Sequence, residues 1–280
     1  MATYADTMHN PRLKTMVVPR EHGAWGMLLI PLLTGIVVAA PVGINPWTVA
    51  LFLLASLALF WLRTPVEAWT GTSPIKAQSA QEIIIVRNTS IVLSAIALLS
   101  VVALCVAGYW SGLLLIGVFA AISFALQVVV KRAGRRGRMP AQLIGAIGLT
   151  STAASAYYVA TGRLDRIALA LWLANWLFAG NQVHFVQLRI HAGRAITLRE
   201  KLRLGRGFLV GQSVLLGCIL ALGYAGILPW LAVLAFAPAL LRGTLWLVRA
   251  PRPLHVHRLG FSELFQAILF GVLLCAAYLR

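Results

Sequence analysis

The run SGLLLIGVFAAISFALQVVVKRAGRR, residues 111–136, decides the fold class. Residues 111–130 carry no charge, and a basic cluster that begins with Lys131 and Arg132 follows at once. The hydrocarbon core of a bilayer is about 30 Å thick and needs about 20 apolar residues in an α-helix, so this run predicts one membrane span. Cytoplasmic loops are enriched in Lys and Arg, so the cluster predicts that this end of the span faces the cytoplasm.

The rest of the chain repeats this pattern. Apolar runs bounded by Pro, Gly or charge predict nine transmembrane helices. They lie near residues 22–40, 46–62, 88–108, 111–130, 141–161, 167–188, 207–226, 229–248 and 261–279. The first run has no small-residue cleavage site, so it predicts a retained helix and not a signal peptide. The sequence therefore predicts an all-α polytopic transmembrane bundle, formed by a single domain over residues 1–280 with a short cytoplasmic segment, 1–20.

Composition excludes a water-soluble fold. Hydrophobic residues make up 60% of the chain and charged residues 11%, whereas an ordinary soluble domain is about one quarter charged. The chain has 24 basic and 7 acidic residues. In a soluble protein such an excess would suggest nucleic acid, but these basic residues lie in short gaps between apolar runs. We therefore predict a lipid bilayer as the partner and no nucleic acid.

The basic residues also predict the orientation. With nine spans and the N-terminus inside, 21 of the 24 basic residues fall on the cytoplasmic side, and the exceptions are Arg163, Arg166 and Arg280. This predicts a multi-pass protein of the cell (inner/cytoplasmic) membrane, with its N-terminus in the cytoplasm and its C-terminus outside. The longest inner loops, 64–87 and 189–206, hold most of the remaining polar residues. A functional site is therefore expected at the cytoplasmic face.

Ionisable residues at membrane depth are functional hypotheses, because they usually face a cavity or a partner. Glu21 and His22 stand at the entry to the first helix, where an interfacial anchor is the alternative reading. Glu263 begins the last helix. No Gly-rich phosphate loop occurs in the sequence. His255 and His257 flank one residue and could bind a metal, but the sequence identifies no third ligand for them. We therefore predict no metal site, and the sequence indicates no particular cofactor.

The sixth predicted helix is unusually polar. At 100° per residue its polar side chains fall into one broad face and one stripe of seven-residue spacing. The broad face holds Asn181, His184, Gln187, His191 and Arg194, and the stripe holds Asn175, Gln182 and Arg189. So many hydrogen-bonding groups favour a polar cavity open to the cytoplasm, and hydrogen bonding between helices is the alternative. Arg63, Glu67 and Arg87, beside the first long inner loop, are candidates for the same vestibule.

The segment PREHGAWGMLLIPL, residues 19–32, resembles the opening signature of the YwiC-like family of bacterial integral membrane proteins. That resemblance implies a membrane protein and no particular reaction. The layout of nine helices, with long inner loops after the second and sixth, is similar to that of the UbiA-type intramembrane prenyltransferases. Those enzymes carry aspartate-rich motifs at the two loops, where carboxylates hold Mg²⁺ against an isoprenyl diphosphate. This chain has only Glu67 at the first place and no Asp at the second.

The missing aspartates change the functional hypothesis that the resemblance suggests. Without the carboxylates, the layout predicts a cavity in which basic side chains contact an anionic group directly. We expect a UbiA-like protein that binds or modifies an amphiphilic isoprenoid, quinone or lipid at a cytoplasm-facing cavity. His184 and Glu263 are the candidate proton-handling residues. The candidate substrate-binding residues are Glu21, His22, Arg63, Glu67, Arg87, Asn181, Gln187, Arg189 and Arg194. A small-solute transporter and a non-catalytic assembly or partner subunit are the alternatives.

Overall fold

The computed structural model of the protein describes residues 11–19, 22–71, 73, 75–132, 134, 137–250 and 256–280, without the side chains of 11, 22–24, 138, 256 and 257. In these ranges all regular structure is helical, which confirms the all-α class. The α-helices are α1 Pro11–Val17, α2 His22–Ala39, α3 Pro46–Thr70, α4 Ala80–Leu104, α5 Trp110–Lys131, α6 Arg138–Thr150, α7 Thr152–Thr161, α8 Arg166–Ala192, α9 Leu198–Leu204, α10 Arg206–Tyr224, α11 Trp230–Leu234, α12 Ala237–Val248 and α13 Val256–Tyr278.

Among the described residues, seven helical segments are long and apolar enough to cross a membrane. They are Trp25–Val42, Pro46–Thr70, Ala80–Lys131, Met139–Thr161, Arg206–Tyr224, Trp230–Val248 and Arg258–Tyr278. Large apolar side chains such as Leu99 and Val106 are exposed on these segments, and a surface of this kind is stable only in lipid. The protein is therefore a multi-pass integral membrane protein, as predicted.

Two differences separate these seven segments from the nine predicted spans. Ala80–Lys131 contains two predicted spans, and Gly108, with φ of 96°, interrupts the helix at the predicted connection between them. Helix α8 corresponds to the predicted span 167–188 but does not reach the same apolarity, because amide and imidazole side chains such as Asn175, Gln182 and His184 lie within it. The number of spans and their orientation stay predictions.

The two longest predicted loops are shorter in the structure than expected. Helix α3 continues through Arg63 to Thr70, and a capping box formed by Ser79 and Glu82 starts α4 at Ala80. The connection is therefore residues 71–79 and not the predicted 64–87. The prediction ended the helix at the first charged residue, but a charge ends only the apolar run, and caps determine where the helix itself begins and ends. In predicted loop 189–206, α8 extends to Ala192, and Thr197 caps the short helix α9.

The helices form two compact units. In the first unit, α3 and α4 pack against each other along their length, and α1 contacts both. Met16, Ala68 and Val86 form its buried core. The indole Nε1 of Trp61 donates a hydrogen bond of 2.6 Å to the carbonyl of Val17, and Arg12 pairs with Glu82 at 3.0 Å. The first unit is thus held by an apolar core and by polar contacts from α1.

The second unit contains α2 and the helices from α5 onward. Helix α2 packs on α7 and α13, and α8 packs on α6 and α7. The tryptophans Trp172 and Trp176 of α8 donate hydrogen bonds to carbonyls of α6 at 2.9 and 3.0 Å. Phe178 of α8 stacks on Phe270 of α13 with ring centroids 4.0 Å apart. Helix α8 is therefore fixed on two sides, and its last turns reach the candidate site.

Candidate functional site

A largely buried ion pair joins α12 and α13 in the second unit. The Arg242 guanidinium donates two hydrogen bonds to the Glu263 carboxylate, Nη1 to Oε1 at 2.6 Å and Nη2 to Oε2 at 3.1 Å. The two side chains are only 15% and 12% exposed. This bidentate arrangement is the strongest geometry available to an arginine and a carboxylate. It occupies both terminal nitrogens of Arg242.

Aromatic rings support the cations beside this pair. The Arg242 guanidinium lies 4.2 Å from the ring centroid of Phe185, and the Arg189 guanidinium lies 4.9 Å from that of Trp246. Arginine over an aromatic face is attracted by the ring quadrupole, and more strongly where water is excluded. The Nε atoms of Arg189 and Arg242 are both buried and have no hydrogen-bond partner among the described residues. These two charged donors are therefore enclosed by protein and unsatisfied within the described part of the chain.

Lys201 of α9 holds the end of α12 in place. Its side chain is 1% exposed, and Nζ donates hydrogen bonds to the carbonyls of Trp246 and Arg249 at 2.6 and 2.8 Å. Nζ also lies 3.8 Å from the Trp246 ring centroid. Burial, and to a lesser extent the charge of Arg189, lowers the pKa of Lys201 from its ordinary value. A cation at a helix C-terminus satisfies carbonyls that have no partner within the helix.

Arg189 and Arg242 both line a cavity of about 380 Å³, which we call the arginine cavity. Its walls are Phe185, Arg189, Pro238, Leu241, Arg242, Leu245, Trp246, Arg249, Ala250 and Ser262. The volume lies within the range of small-molecule sites, about 300–1,000 Å³. Along α12, Pro238, Leu241 and Leu245 give it an apolar wall, and Arg249 just past the helix end gives it a basic rim.

A second cavity of about 200 Å³, the glutamine cavity, is lined by Gly26, Met27, Gln142, Gln182, Val183, Val186, Gln187, Gly260, Glu263, Leu264 and Ala267. Gln187 Nε2 donates to Gln142 Oε1 at 3.1 Å, and Gln182 Nε2 donates to the backbone carbonyl of Glu263 at 2.8 Å. Glu263 lines this cavity, and its partner Arg242 lines the arginine cavity. The ion pair thus connects the walls of both cavities.

The broad polar face predicted for α8 is divided between different neighbours. Asn181 accepts a hydrogen bond from Gln212 of α10, and His184 packs against Phe208 and Gly211 of the same helix. Gln187 points instead to Gln142 of α6. These contacts are of the kind that the alternative reading, hydrogen bonding and packing between helices, describes, because side chains spread over so wide an arc meet two different helices. The polar cavity for this face stays a prediction.

The seven-residue stripe of α8 reaches the site. Asn175 donates a hydrogen bond of 3.0 Å to Thr34 Oγ1 of α2. Seven residues further along, Gln182 donates a hydrogen bond to the backbone carbonyl of Glu263. Seven residues after that, Arg189 lines the arginine cavity. Among the predicted site residues, Arg189, Gln187 and Glu263 line a cavity. Their chemical roles stay predictions.

The other predicted site residues lie elsewhere. His184 and Asn181 line neither cavity, and Arg194 is exposed beyond the end of α8. Arg63 and Glu67 form an ion pair of 2.9 Å one turn apart on α3, and Arg87 is exposed on α4; all three belong to the first unit. Glu21 and the side chain of His22 lie outside the described residues.

Sequence reasoning missed the aromatic and basic partners at the centre of the site. Arg242 was assigned to membrane orientation although it interrupts an apolar run, and this interruption was the signal that could have identified it. Phe185 and Trp246 look like ordinary apolar residues in the sequence, and only the fold places them under the guanidinium groups. Lys201 gave no signal, because it lies among several other basic residues in the predicted loop 189–206.

The sequence model of the YwiC-like protein family matches residues 18–158, just over half of the chain. This protein belongs to the YwiC-like family. The match confirms the resemblance carried by residues 19–32. It covers the helices from α2 to most of α7, including Gln142 of the glutamine cavity, whereas every residue of the arginine cavity follows it in the chain. Neither the search of curated proteins nor the search of solved structures found a match for this YwiC-like protein.

Proposed function

We propose that this YwiC-like protein binds an anionic amphiphile, with the anionic headgroup of the ligand in the arginine cavity. The observation that carries the proposal is the lining of the arginine cavity, where Arg189, Arg242 and Arg249 stand beside apolar side chains. A guanidinium group binds phosphate and carboxylate oxygens through charge-assisted hydrogen bonds. An anionic headgroup in the cavity would be held in this way.

The charge balance around the cavity supports an anionic ligand. Among the carboxylates in the described part of the chain, Glu263 is the one that pairs with a cavity residue. Glu67 and Glu82 are paired with Arg63 and Arg12. Asp165 caps α8, and Glu200 accepts from the backbone of Ile196. One carboxylate therefore faces Arg189, Arg242 and Arg249, and positive charge is left over.

The apolar wall supports an amphiphile and not a free anion. Leu241 and Leu245 line the cavity and are 59% and 47% exposed, on a helix apolar enough to lie in a membrane. Lipid chains therefore have access to one side of the cavity. A ligand with an acyl or isoprenoid tail can lie along these leucines while its headgroup reaches Arg189 and Arg242.

The proposal is one of binding, and it does not require a reaction. Both carboxylate oxygens of Glu263 are held by Arg242, so Glu263 is a poor general base while that pair persists. His184 lines neither cavity. The positive-inside pattern supports a headgroup site at the cytoplasmic face of the bacterial inner membrane.

Lipids retained through purification test this proposal. Wild type, Arg189→Gln and Arg194→Gln would be purified in mild detergent, and the bound lipids would be quantified by native mass spectrometry. Arg194→Gln is the matched control, because this arginine is exposed and lines neither cavity. A charge-assisted hydrogen bond contributes about 1.5–3 kcal/mol, so Arg189→Gln should retain an anionic amphiphile roughly tenfold less well.

Retention should be unchanged in Arg194→Gln. Equal retention of the same anionic lipids in all three proteins, each with a normal melting temperature, would contradict the proposal. So would retention of zwitterionic bulk lipids alone.

Transport or flipping of the amphiphile is a second candidate function. Transporters often use interrupted helices beside the substrate, and the interruption between α11 and α12 lies just before Pro238, which lines the arginine cavity. Reconstitution into vesicles with a fluorescent anionic lipid on one leaflet measures this activity. Accelerated flipping that is lost in Arg189→Gln favours transport, and a rate equal to that of protein-free vesicles removes this candidate.

A further inference from the structure

The glutamine cavity differs in chemistry from the arginine cavity. We infer that it is a second ligand site, which takes an uncharged group that carries hydroxyls, such as the glycerol headgroup of a neutral lipid or a free polyol. The inference goes beyond the proposed binding of an anionic amphiphile and does not depend on it.

The described residues that line the glutamine cavity favour an uncharged ligand. None of them is basic, and Glu263 is their one ionisable side chain. Both carboxylate oxygens of Glu263 accept hydrogen bonds from Arg242, which does not line this cavity. The charge of Glu263 is therefore already balanced. An ion that is enclosed without a partner is costly, and a neutral ligand avoids that cost.

Three glutamines give the cavity its hydrogen-bonding capacity. A side-chain amide has an oxygen that accepts and an NH₂ group that donates. The amide nitrogen of Gln187 donates to the oxygen of Gln142. That of Gln182 donates to the backbone carbonyl of Glu263. Gln182 and Gln187 each keep a side-chain oxygen that accepts from no described residue, and neither oxygen is enclosed by protein.

A hydroxyl group matches this set of amides. It both donates and accepts, so it can donate to the open oxygen of Gln182 or Gln187 and accept from the amide nitrogen of Gln142. A carbonyl or ester group only accepts, and so do carboxylate and fully ionised phosphate groups. None of these can satisfy the two open glutamine oxygens.

The size and position of the cavity suit a headgroup and not a whole lipid. Its volume of about 200 Å³ lies below the range of about 300–1,000 Å³ that is typical of small-molecule sites. Val183, Val186 and Leu264 add apolar walls, and Leu264 is 41% exposed on a segment apolar enough to cross a membrane. An acyl chain can lie against Leu264 in the bilayer while the hydroxyls of its headgroup reach the glutamines.

The test measures binding of radiolabelled monoolein to the purified protein by scintillation proximity. Monoolein is uncharged, and its glycerol headgroup carries two hydroxyls. Methyl oleate has the same acyl chain and an ester but no hydroxyl. If hydroxyls are recognised, wild type should bind monoolein roughly tenfold more tightly than methyl oleate, because at least one hydrogen bond is lost and a glutamine oxygen stays unsatisfied.

Two substitutions remove the amides without shortening the side chain. Gln187→Met and Gln142→Met should each weaken monoolein binding about fivefold through loss of hydrogen bonds. Gln142 is exposed, so the second variant tests the inference even if the first does not fold. Gln127→Met is the matched control, because Gln127 is partly buried on α5 and lines neither cavity. A melting temperature equal to that of wild type verifies the fold of each variant.

Equal affinity for monoolein in wild type and all three folded variants would overturn the inference. So would equal affinity of wild type for monoolein and methyl oleate. Free glycerol distinguishes the two sources of the hydroxyl group. Displacement of monoolein by glycerol at a comparable concentration identifies a soluble polyol as the ligand, and failure to displace it identifies the lipid.

Dioleoyl phosphatidic acid separates this inference from the proposed function. Arg189→Gln should weaken phosphatidic acid binding and leave monoolein binding unchanged, and Gln187→Met should do the reverse. If wild type binds monoolein selectively but does not bind phosphatidic acid, the proposed function fails and the inference stands. If it binds phosphatidic acid through Arg189 but shows no selectivity for monoolein, the inference fails and the proposed function stands.

Discussion

Arg242 and Glu263 carry opposite charges into a largely buried site, where the carboxylate accepts from both terminal nitrogens of the guanidinium. Replacing one member of such a pair leaves an unpaired buried charge, which destabilises a protein by about 3–5 kcal/mol, whereas replacing both is much less harmful. We therefore expect Arg242→Met and Glu263→Met each to lower the melting temperature in detergent strongly. The double variant should lie closer to wild type than either single variant.

Thermal unfolding of the four proteins gives the coupling directly. Arg63→Met, Glu67→Met and their double variant provide the matched control, because that ion pair is exposed on one helix. Exposed pairs contribute about 0–1 kcal/mol. Additive effects at Arg242 and Glu263 would show that the pair has no special role in stability.

At the scale of single residues, the sequence predicted part of the candidate site. Arg189, Gln187 and Glu263 were recognisable, because polar side chains are conspicuous near the ends of apolar helices. The position of His184 was not predictable, since its direction depends on which helix packs beside that part of α8. The structure places it against Gly211 of α10.

At the level of elements, close helix packing depends on small residues. An added Cβ at Gly35 of α2 would overlap the backbone carbonyl oxygen of Ala153 in α7 and approach the Ala156 Cβ to 2.9 Å. Backbone atoms cannot move aside as a side chain does, so Gly35→Ala should destabilise the protein by about 1–3 kcal/mol through overpacking. Thermal unfolding in detergent measures the loss.

Gly117→Ala on α5 is the matched control. An added Cβ there meets nothing within 4 Å, and alanine has the better helix propensity, so stability should be equal or slightly higher. If Gly35→Ala is as stable as Gly117→Ala, the close packing of α2 on α7 is incorrect.

Helix existence was predictable, and helix ends were less so. The predicted span 46–62 stops where charge begins, whereas α3 continues to Thr70. Hydropathy detects the membrane core, but hydrogen bonding and caps determine where a helix ends. The Ser79–Glu82 capping box is a local signal that would have placed the start of α4 correctly.

For the whole molecule, composition and periodicity predicted the membrane class, and the opening signature predicted the family that the comparison confirms. The span count needs a separate measurement. Nine spans place Gly134 inside and Arg163 outside, whereas seven spans, with Ala80–Lys131 crossing once and α8 not crossing, place them on the opposite sides. Both positions lie in connections between helices.

Single cysteines at positions 134 and 163 distinguish these arrangements. After replacement of Cys105, Cys218 and Cys275, we expect a membrane-impermeant maleimide added to intact cells to label Arg163→Cys and not Gly134→Cys. Arg280→Cys, expected outside in both arrangements, is the positive control. Labelling of Gly134→Cys with protection of Arg163→Cys would contradict the nine-span orientation.

The central claim is that an anionic headgroup occupies the arginine cavity. The most direct test is photocrosslinking in vesicles with phosphatidylglycerol that carries a diazirine in its headgroup, followed by peptide mapping. We predict that the crosslinks concentrate on residues 185–189 and 238–250, and that an excess of unlabelled phosphatidylglycerol suppresses them while phosphatidylcholine does not. Crosslinks spread evenly over the exposed apolar faces of α4 and α5, with no competition at the cavity, would contradict the claim.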